Sequence, residues 1–403
     1  MVVINTMDAL LERGFTRRMG QEYLDQLAWE DGSPLFDKDL LEWSHAHGFF
    51  AETVACLDIT ESNASDYLTD YDYFRVWPLN SWQRVWINDK LTLKYMLSGT
   101  GYDCYLPKYY FYASANGLVP LVDSGLAEQG APVPHQAYAG LTAVQPAADA
   151  YRDEFLALLR EVGEFACKPA NAELAVGFHK LSYSDGSYLI DNRPATADDV
   201  WGYVQTHTND VFTEFFHPGG SLSEISPVIH TLRVLLVNET GVTPRLTASY
   251  LRLATDVAGD DSKANYRSPG EPDIRSYNMD FDLTSGAYGN GKLVYGNKTI
   301  DAPAHPDTGV EGKGVMESWP QLRQALYDVS LRLGPVEYMG FDVCDTTNGP
   351  KIMEINSHSG SKYLQLYKPF MADEYLADYF TRKLAAIDAL DDDMRARRNA
   401  TMR

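Results

Sequence analysis

Cysteine is scarce in this chain of 403 residues: Cys56, Cys104, Cys167 and Cys344 are the four, scattered and without a CxxC pair. That argues against a disulfide framework or a cysteine zinc site and fits thiols kept reduced in a cytoplasm. Basic residues are outnumbered, 34 Lys and Arg against 56 Asp and Glu, for a net charge of −22. Such a balance argues against nucleic acid as the main partner and against adsorption to anionic membranes; its simplest consequence is solubility. No apolar run approaches the ~18 residues of a membrane-spanning helix. The first residues, MVVINTMDALLERGF, lack the basic start and apolar stretch of a signal peptide, so a cytoplasmic location is expected. Internal repeats and low-complexity segments are missing too. What remains is ordinary globular composition, 45% hydrophobic and 22% charged, in a chain long enough for two or three subdomains.

The most informative stretch runs from Tyr338 to Gly360, YMGFDVCDTTNGPKIMEINSHSG. Two apolar-rich runs flank Thr346-Thr347-Asn348-Gly349-Pro350, a cluster of turn formers, and together they predict a β-hairpin. With the turn centred near Asn348, Asp342 and Glu354 lie six residues to either side and become cross-strand neighbours. Asn356 shares their face because side chains alternate along a strand; Met339, Phe341, Val343, Met353 and Ile355 line the other and supply the core contact. Carboxylates facing each other across a ladder repel by a few tenths to roughly 1 kcal/mol. A divalent cation removes the repulsion, and Mg²⁺ is typically held by one or two carboxylates together with substrate phosphates. The other reading is a solvent-exposed polar face carrying two unrelated acids.

Elsewhere, Leu10, Leu11, Phe15, Met19, Tyr23 and Leu27, then Leu40, Leu41 and Trp43, recur at helical spacing, so residues 1–75 are expected to be helical and to serve packing, a partner surface being the other reading. In Asn88-Asp89-Lys90, Asn88 is a candidate N-cap, with Leu91, Tyr95 and Leu97 facing inward behind it. Lys168 ends a predicted strand, since Pro169 cannot donate to a ladder, and a lysine at a strand tip can reach phosphate. A hairpin turn is expected at Ser184-Asp185-Gly186 and a capping box from Thr196 to Asp199. The runs HTLRVLLVNE and TPRLTASYLRLA turn at Thr240-Gly241 and bring Arg233 and Arg252 near cross-strand register. Adjacent guanidinium groups repel unless an anion lies between them; the pair suits phosphate or carboxylate, or each pairs with a surface acid of its own. Residues 256–318, rich in Gly, Asp, Asn and Pro, read as a long loop, substrate-facing or simply a surface loop. The tail DDDMRARRNATMR is expected to fray.

The pattern D-x(11)-E-x-N, continuing through Asn356-Ser357-His358-Ser359-Gly360, resembles the metal-binding end of the ATP-grasp superfamily. With Asn88-Asp89-Lys90, Cys167-Lys168-Pro169, His230-Thr231-Leu232-Arg233 and His305-Pro306-Asp307-Thr308-Gly309 in order, residues 75–370 resemble its group associated with sugar transfer and polysaccharide biosynthesis. The resemblance implies an α+β fold in which two α+β subdomains clamp ATP behind a helical N-terminal extension. The expected divisions are 1–75 for the extension, 76–150 for a subdomain ahead of the ATP site, 151–216 for the small and 217–390 for the large ATP-binding subdomain, and 391–403 for the tail. It further implies ATP and Mg²⁺ as cofactors, with Mn²⁺ as a substitute. Asp342, Glu354 and Asn356 would be metal ligands; Lys168, Lys180 and Lys90 would lie near the nucleotide; Glu214 and Phe215, in a linker strand over 211–216, would meet adenine. Arg233 and Arg252 would act on the transferred phosphoryl group, with His305, Ser359 and Gly360 as weak substrate contacts.

The sequence departs from the family pattern after Lys168, where Ala170 to Gly177 holds a single glycine and phosphate contact falls more to side chains such as Lys180. The implied activity is an ADP-forming carboxylate–amine ligase working through an acyl phosphate. Its small-molecule partners would be a sugar acid or amino sugar and an amino acid, in capsule, exopolysaccharide or other glycan modification, the enzyme acting alone or as a homodimer. A small-molecule kinase of the same fold is one alternative. A non-catalytic nucleotide-binding scaffold is the other, favoured by the glycine-poor loop and opposed by the Asp342, Glu354 and Asn356 set.

Overall fold

The computed structural model describes residues 5–126, 149–171, 177–257, 259–262 and 276–401. Seven helices come first: α1 (Met7–Glu12), α2 (Arg17–Asp31), α3 (Lys38–Ala46), α4 (Ala51–Leu57), α5 (Asp70–Val76), α6 (Val85–Asn88) and α7 (Lys90–Leu97). Short polar side chains start most of them: Thr6, Thr16, Asp37, Thr69 and Asp89 each accept a first-turn backbone N–H. The predicted stripe Leu10, Phe15, Met19, Tyr23 and Leu27 is buried against Phe50 and Trp77. The cap of α7 is Asp89, not Asn88, and Tyr95 is 54% exposed while Leu93 and Leu97 are buried.

Next come β1 (Tyr109–Ser114), β2 (Gly117–Pro120), α8 (Arg152–Val162), β3 (Glu164–Pro169), β4 (His179–Ser184), β5 (Ser187–Ile190), β6 (Arg193–Ala195), α9 (Ala197–Thr206) and β7 (Asp210–Glu214). They form a sheet in the order β2-β1-β7-β3-β4-β5-β6, every neighbour antiparallel. Strands β1 and β2, from the 76–150 segment, thus belong to the same sheet as residues 164–214. Asp185 and Gly186 both take positive φ, 51° and 79°, at the turn expected there. The capping box of Thr196 and Asp199 starts α9. Strand β7 ends at Glu214 and leaves Phe215 outside the ladder.

The second sheet contains β8 (Thr231–Val237), β9 (Arg245–Leu253), β10 (Ser276–Phe281), β11 (Ala287–Val294), β12 (Thr299–Asp301), β13 (Gly314–Val315), β14 (Tyr338–Thr346) and β15 (Gly349–Asn356). Its order is β12-β11-β10-β9-β8-β14-β15, with β13 against β11. The helices of this part are α10 (Leu222–Ile225), α11 (Trp319–Arg332), α12 (Ser361–Leu364), α13 (Glu374–Asp388) and α14 (Asp392–Asn399). The fold is therefore α+β as expected, a helical region followed by two antiparallel sheets.

Two expectations fail here. The supposed long loop over 256–318 contains β10 to β13, whose Tyr277, Met279 and Phe281 bury into the core; weak local strand preference is overridden by pairing with β9. The tail folds as α14, where Arg395 and Arg398 donate to the carbonyls of Glu12 and Gly14 at 2.8 and 2.6 Å. Residues 172–176 of the glycine-poor loop after Lys168, much of the connection over 117–146 and the stretch 266–270 lie outside the described residues.

One face of the second sheet packs on α11 through Leu232, Val234, Leu251, Met279 and Phe341. The other face is divided. Leu235, Val237, Tyr250 and Tyr338 are covered by α5 and α13, and the remainder carries charge. Among the described residues no helix is long and apolar enough to cross a membrane.

Candidate active site

The hairpin β14–β15 sets Asp342 directly opposite Glu354. The route to that register differs from the expected one. Thr346 pairs with Gly349, so the turn is one residue tighter than a centre at Asn348 implies, and a shift between Asp342 and Val343 restores the count. Val343 pairs with Ile352 and Asp342 with Glu354, leaving Met353 as the extra residue of a β-bulge. Ile352 consequently takes the core position foreseen for Met353, which is only half-buried.

Asp342 also lies opposite Arg233 of β8. Arg233 grips it at both oxygens, Nε donating to Oδ1 and Nη2 to Oδ2 at 2.9 Å. The amide of Asn356 donates to Asp342 Oδ2 at 3.4 Å and to Glu354 Oε1 at 3.3 Å. On the other flank, Lys90 Nζ stands 3.6 Å from Glu354 Oε2. Lys168 comes from β3 of the other sheet and has Lys90, Glu354, Cys344 and Asp342 as charged or titratable neighbours. Burial, then the like charge of Lys90, lowers the Lys168 ammonium to about 8.

Burial pushes the Asp342 carboxyl up, Arg233 works against that, and the charge of Glu354 adds to the rise. Burial acts in the same direction on Glu354, but Lys90 and Lys168 outweigh it and hold that carboxyl low. The two carboxyls titrate as a coupled pair. With Asn356 they offer a carboxylate–carboxylate–amide set on one sheet face, hard oxygen donors of the kind Mg²⁺ takes; among the described residues no third His, Cys, Asp or Glu joins them.

No protein-family model matches the chain, and no curated protein does. Among solved structures it is similar to the ATP-grasp ligase PsnB in complex with a minimal precursor, at 11% identity over 75% of this chain and 63% of that one, TM-score 0.35. It is similar to D-alanyl-alanine synthetase A of Vibrio cholerae at 13% identity, covering 74% and 66% of the two chains, TM-score 0.37. D-alanine–D-alanine ligase of Bacillus anthracis gives 12% identity over 77% and 68%, TM-score 0.34. The likeness is to ligases. At TM-scores below 0.5 these superpositions assign neither an activity nor a substrate, and the match spans about two thirds of each of these proteins.

The remaining candidates divide by position. Arg252 shares the face of Arg233 but is paired with Thr231, two residues along, so the arginines are diagonal rather than opposed. Lys180 is buried and bonded to Glu164 and Asp261, both at 2.7 Å, with Nζ 4.5 Å from the centre of the Phe215 ring. Glu214 accepts the Lys108 N–H and the Asn348 amide, both at 3.2 Å, which links the first sheet to the hairpin turn. His305 has both ring nitrogens engaged, Nε2 with the Ala254 carbonyl at 2.8 Å and Nδ1 with the Asp307 N–H at 3.3 Å, and it is buried beside Tyr277. Ser359 is buried with its hydroxyl unbonded, whereas Gly360 is exposed.

One positioning residue escaped the sequence reading of this site. Asn88 Oδ1 accepts the Ser357 N–H at 3.0 Å, and the Lys90 N–H donates to the Ala170 carbonyl at 3.1 Å. The three residues of Asn88-Asp89-Lys90 therefore divide the work. Asn88 fixes the end of β15, Asp89 caps α7, and Lys90 faces Glu354 while its backbone joins α7 to the end of β3. Nothing local to Asn88 signals this, because its partner lies 269 residues away.

Proposed function

We propose that this chain is an ATP-grasp carboxylate–amine ligase. Its reaction would transfer the γ-phosphoryl group of ATP to a carboxylate, giving an acyl phosphate and ADP; an amine nitrogen would then attack the acyl carbon and expel phosphate. The observation carrying this reading is the apposition of Asp342 and Glu354 on one sheet face, with Lys168 supplied to them from the other sheet. Mg²⁺ would be held by Asp342, Glu354 and Asn356 and would neutralise phosphate charge.

In this reading each protein group has a separate task. Lys168 and Lys90 meet phosphate oxygens, and Arg252 faces the transferred group. Arg233 holds Asp342 in place, since two of its donors are already committed there. Phe215 and Glu214 would flank the base, and the Lys180 ammonium is braced by Glu164 and Asp261. The small nucleotide-clamping subdomain would comprise residues 151–216 together with β1 and β2, the large one residues 217–390. A sugar acid or amino sugar and an amino acid, in capsule, exopolysaccharide or other glycan modification, are the substrates we favour, on the resemblance of the sequence to the polysaccharide-associated group alone. The site is expected to work in the cytoplasm, in a monomer or homodimer.

Calorimetric titration of ATP, with and without Mg²⁺ or Mn²⁺, into wild type and Glu354→Ala tests the site. Binding that requires the metal and is lost in the variant is the expected result. Binding that ignores both would sink it. An ADP-release screen of carboxylates and amines then separates a ligase, which frees phosphate, from a kinase, which does not, and from a scaffold that turns over nothing.

A further inference from the structure

A cavity of about 460 Å³ lies between the turn entering α6 and the end of α14. Pro78, Ser81, Trp82 and Arg84 form one side, Arg397 and Thr401 the other, and none of the charged cluster's residues lines it. Arg84 is only 5% exposed. Its Nη1 donates to the Ser81 carbonyl, and its guanidinium carbon sits 5.1 Å from the Trp77 ring centre and 6.0 Å from that of Trp82. Its Nη2 is buried without a hydrogen-bond partner, and Arg84 forms no ion pair among the described residues. Arg18, over Trp77 at 5.7 Å, adds further positive charge nearby.

A buried guanidinium with an unused donor has given up solvation that only an anion or acceptor can restore. Acids outnumber basic residues in this chain, 56 to 34. Here the walls hold two guanidinium groups and no acid. Trp82, 74% exposed, presents an indole beside them. The volume is in the range of small-molecule sites, and two guanidinium groups beside a flat apolar wall select for one ligand chemistry.

We propose that this cavity binds a small organic oxyanion, a carboxylate or phosphate carried on a flat apolar body. Arg84 and Arg397 take the oxyanion; Trp82 and Pro78 cover the body. The site is independent of the activity proposed for the charged cluster.

The test is titration of the full chain with inorganic phosphate, benzoate and phenyl phosphate at low salt, followed by calorimetry and tryptophan fluorescence. Phenyl phosphate should bind more tightly than inorganic phosphate, and benzoate against phenyl phosphate tells which oxyanion is preferred. Arg397→Gln, at an exposed position, should weaken phenyl phosphate about tenfold or more. Trp82→Ala should erase the preference for the aryl probe, and Glu354→Ala should change neither constant. No saturable binding of any probe up to about 10 mM, a level weaker than the millimolar affinity of a minimal site, overturns the proposal. So does binding that survives both Arg397→Gln and Trp82→Ala, or that disappears in Glu354→Ala.

Discussion

Asp342 and Glu354 face each other, yet their removal should have unequal consequences for folding. Asp342 is buried and held at both oxygens by Arg233, with side-chain exposures of 7% and 13%. Deleting one partner of such a pair strands the other charge in a poorly solvated place, which typically costs about 3–5 kcal/mol. Glu354 is 27% exposed and its nearest ion-pair partner stands at 3.6 Å, so Glu354→Ala should cost about 1 kcal/mol or less. Replacing the whole pair, Arg233→Met with Asp342→Leu, restores an apolar contact and should recover most of the loss, because buried pairs exchanged for hydrophobic residues are often neutral. Urea unfolding of wild type, Asp342→Ala, Glu354→Ala, Arg233→Met and the double variant measures this, the coupling energy being the departure from additivity. A cost below about 1 kcal/mol for Asp342→Ala, or a double variant as unstable as the two single losses summed, would refute the assignment of Arg233 as the group that holds Asp342. It follows that Glu354→Ala is the informative variant for ligand binding, since its loss of function is not a loss of fold.

Gly340 lies beneath the loop that follows Asn356. A Cβ there would overlap the Ser359 hydroxyl and stand 2.7 Å from the Ser359 Cβ, so Gly340→Ala should destabilise by roughly 1–3 kcal/mol, with Ser359→Gly in the same chain restoring stability; thermal melts of the single and double variants decide it. Because burial and Lys90 lower Lys168 to about 8, its charge is complete below that pH and lost above it. ATP affinity should therefore stay level from pH 6.5 to 7.5 and weaken above pH 8 with a limiting slope of about tenfold per pH unit, while Lys168→Arg should remain level; a parallel decline in both would exclude Lys168 as the titrating group. Arg398 donates to the carbonyls of Gly14, Arg75 and Trp77. Arg398→Ala should release α14, lowering the melting temperature and opening the chain after Leu390 to proteolysis, whereas an unchanged digestion pattern would count against that anchoring.

Much of the site's outline was legible from residue 338 onward. Alternation and a Thr-Thr-Asn-Gly turn forecast the hairpin, and the six-residue offsets forecast Asp342 against Glu354. The agreement came through two departures that cancel, a tighter turn and a bulge at Met353. A bulge is hard to read locally because the extra residue is specified by what both strands pack against, here a core that prefers Ile352. The strands within 256–318 were missed for a related reason, their stability residing in the ladder to β9. For His305 the sequence could not show that Ala254 and Asp307 would occupy its ring nitrogens, because the Ala254 partner is set by the packing of a distant segment.

The sequence by itself determined the capping box at Thr196, the apolar stripes, three hairpins and the types of residue available for chemistry, because these depend on neighbours within a turn or a strand pair. Only the tertiary structure decided that Arg233 would be spent on Asp342, that Asn88 would hold Ser357 across 269 positions, and that the tail would close a cavity over Arg84. Those outcomes depend on the register and docking of distant segments, and the energy that fixes them belongs to contacts no local window contains.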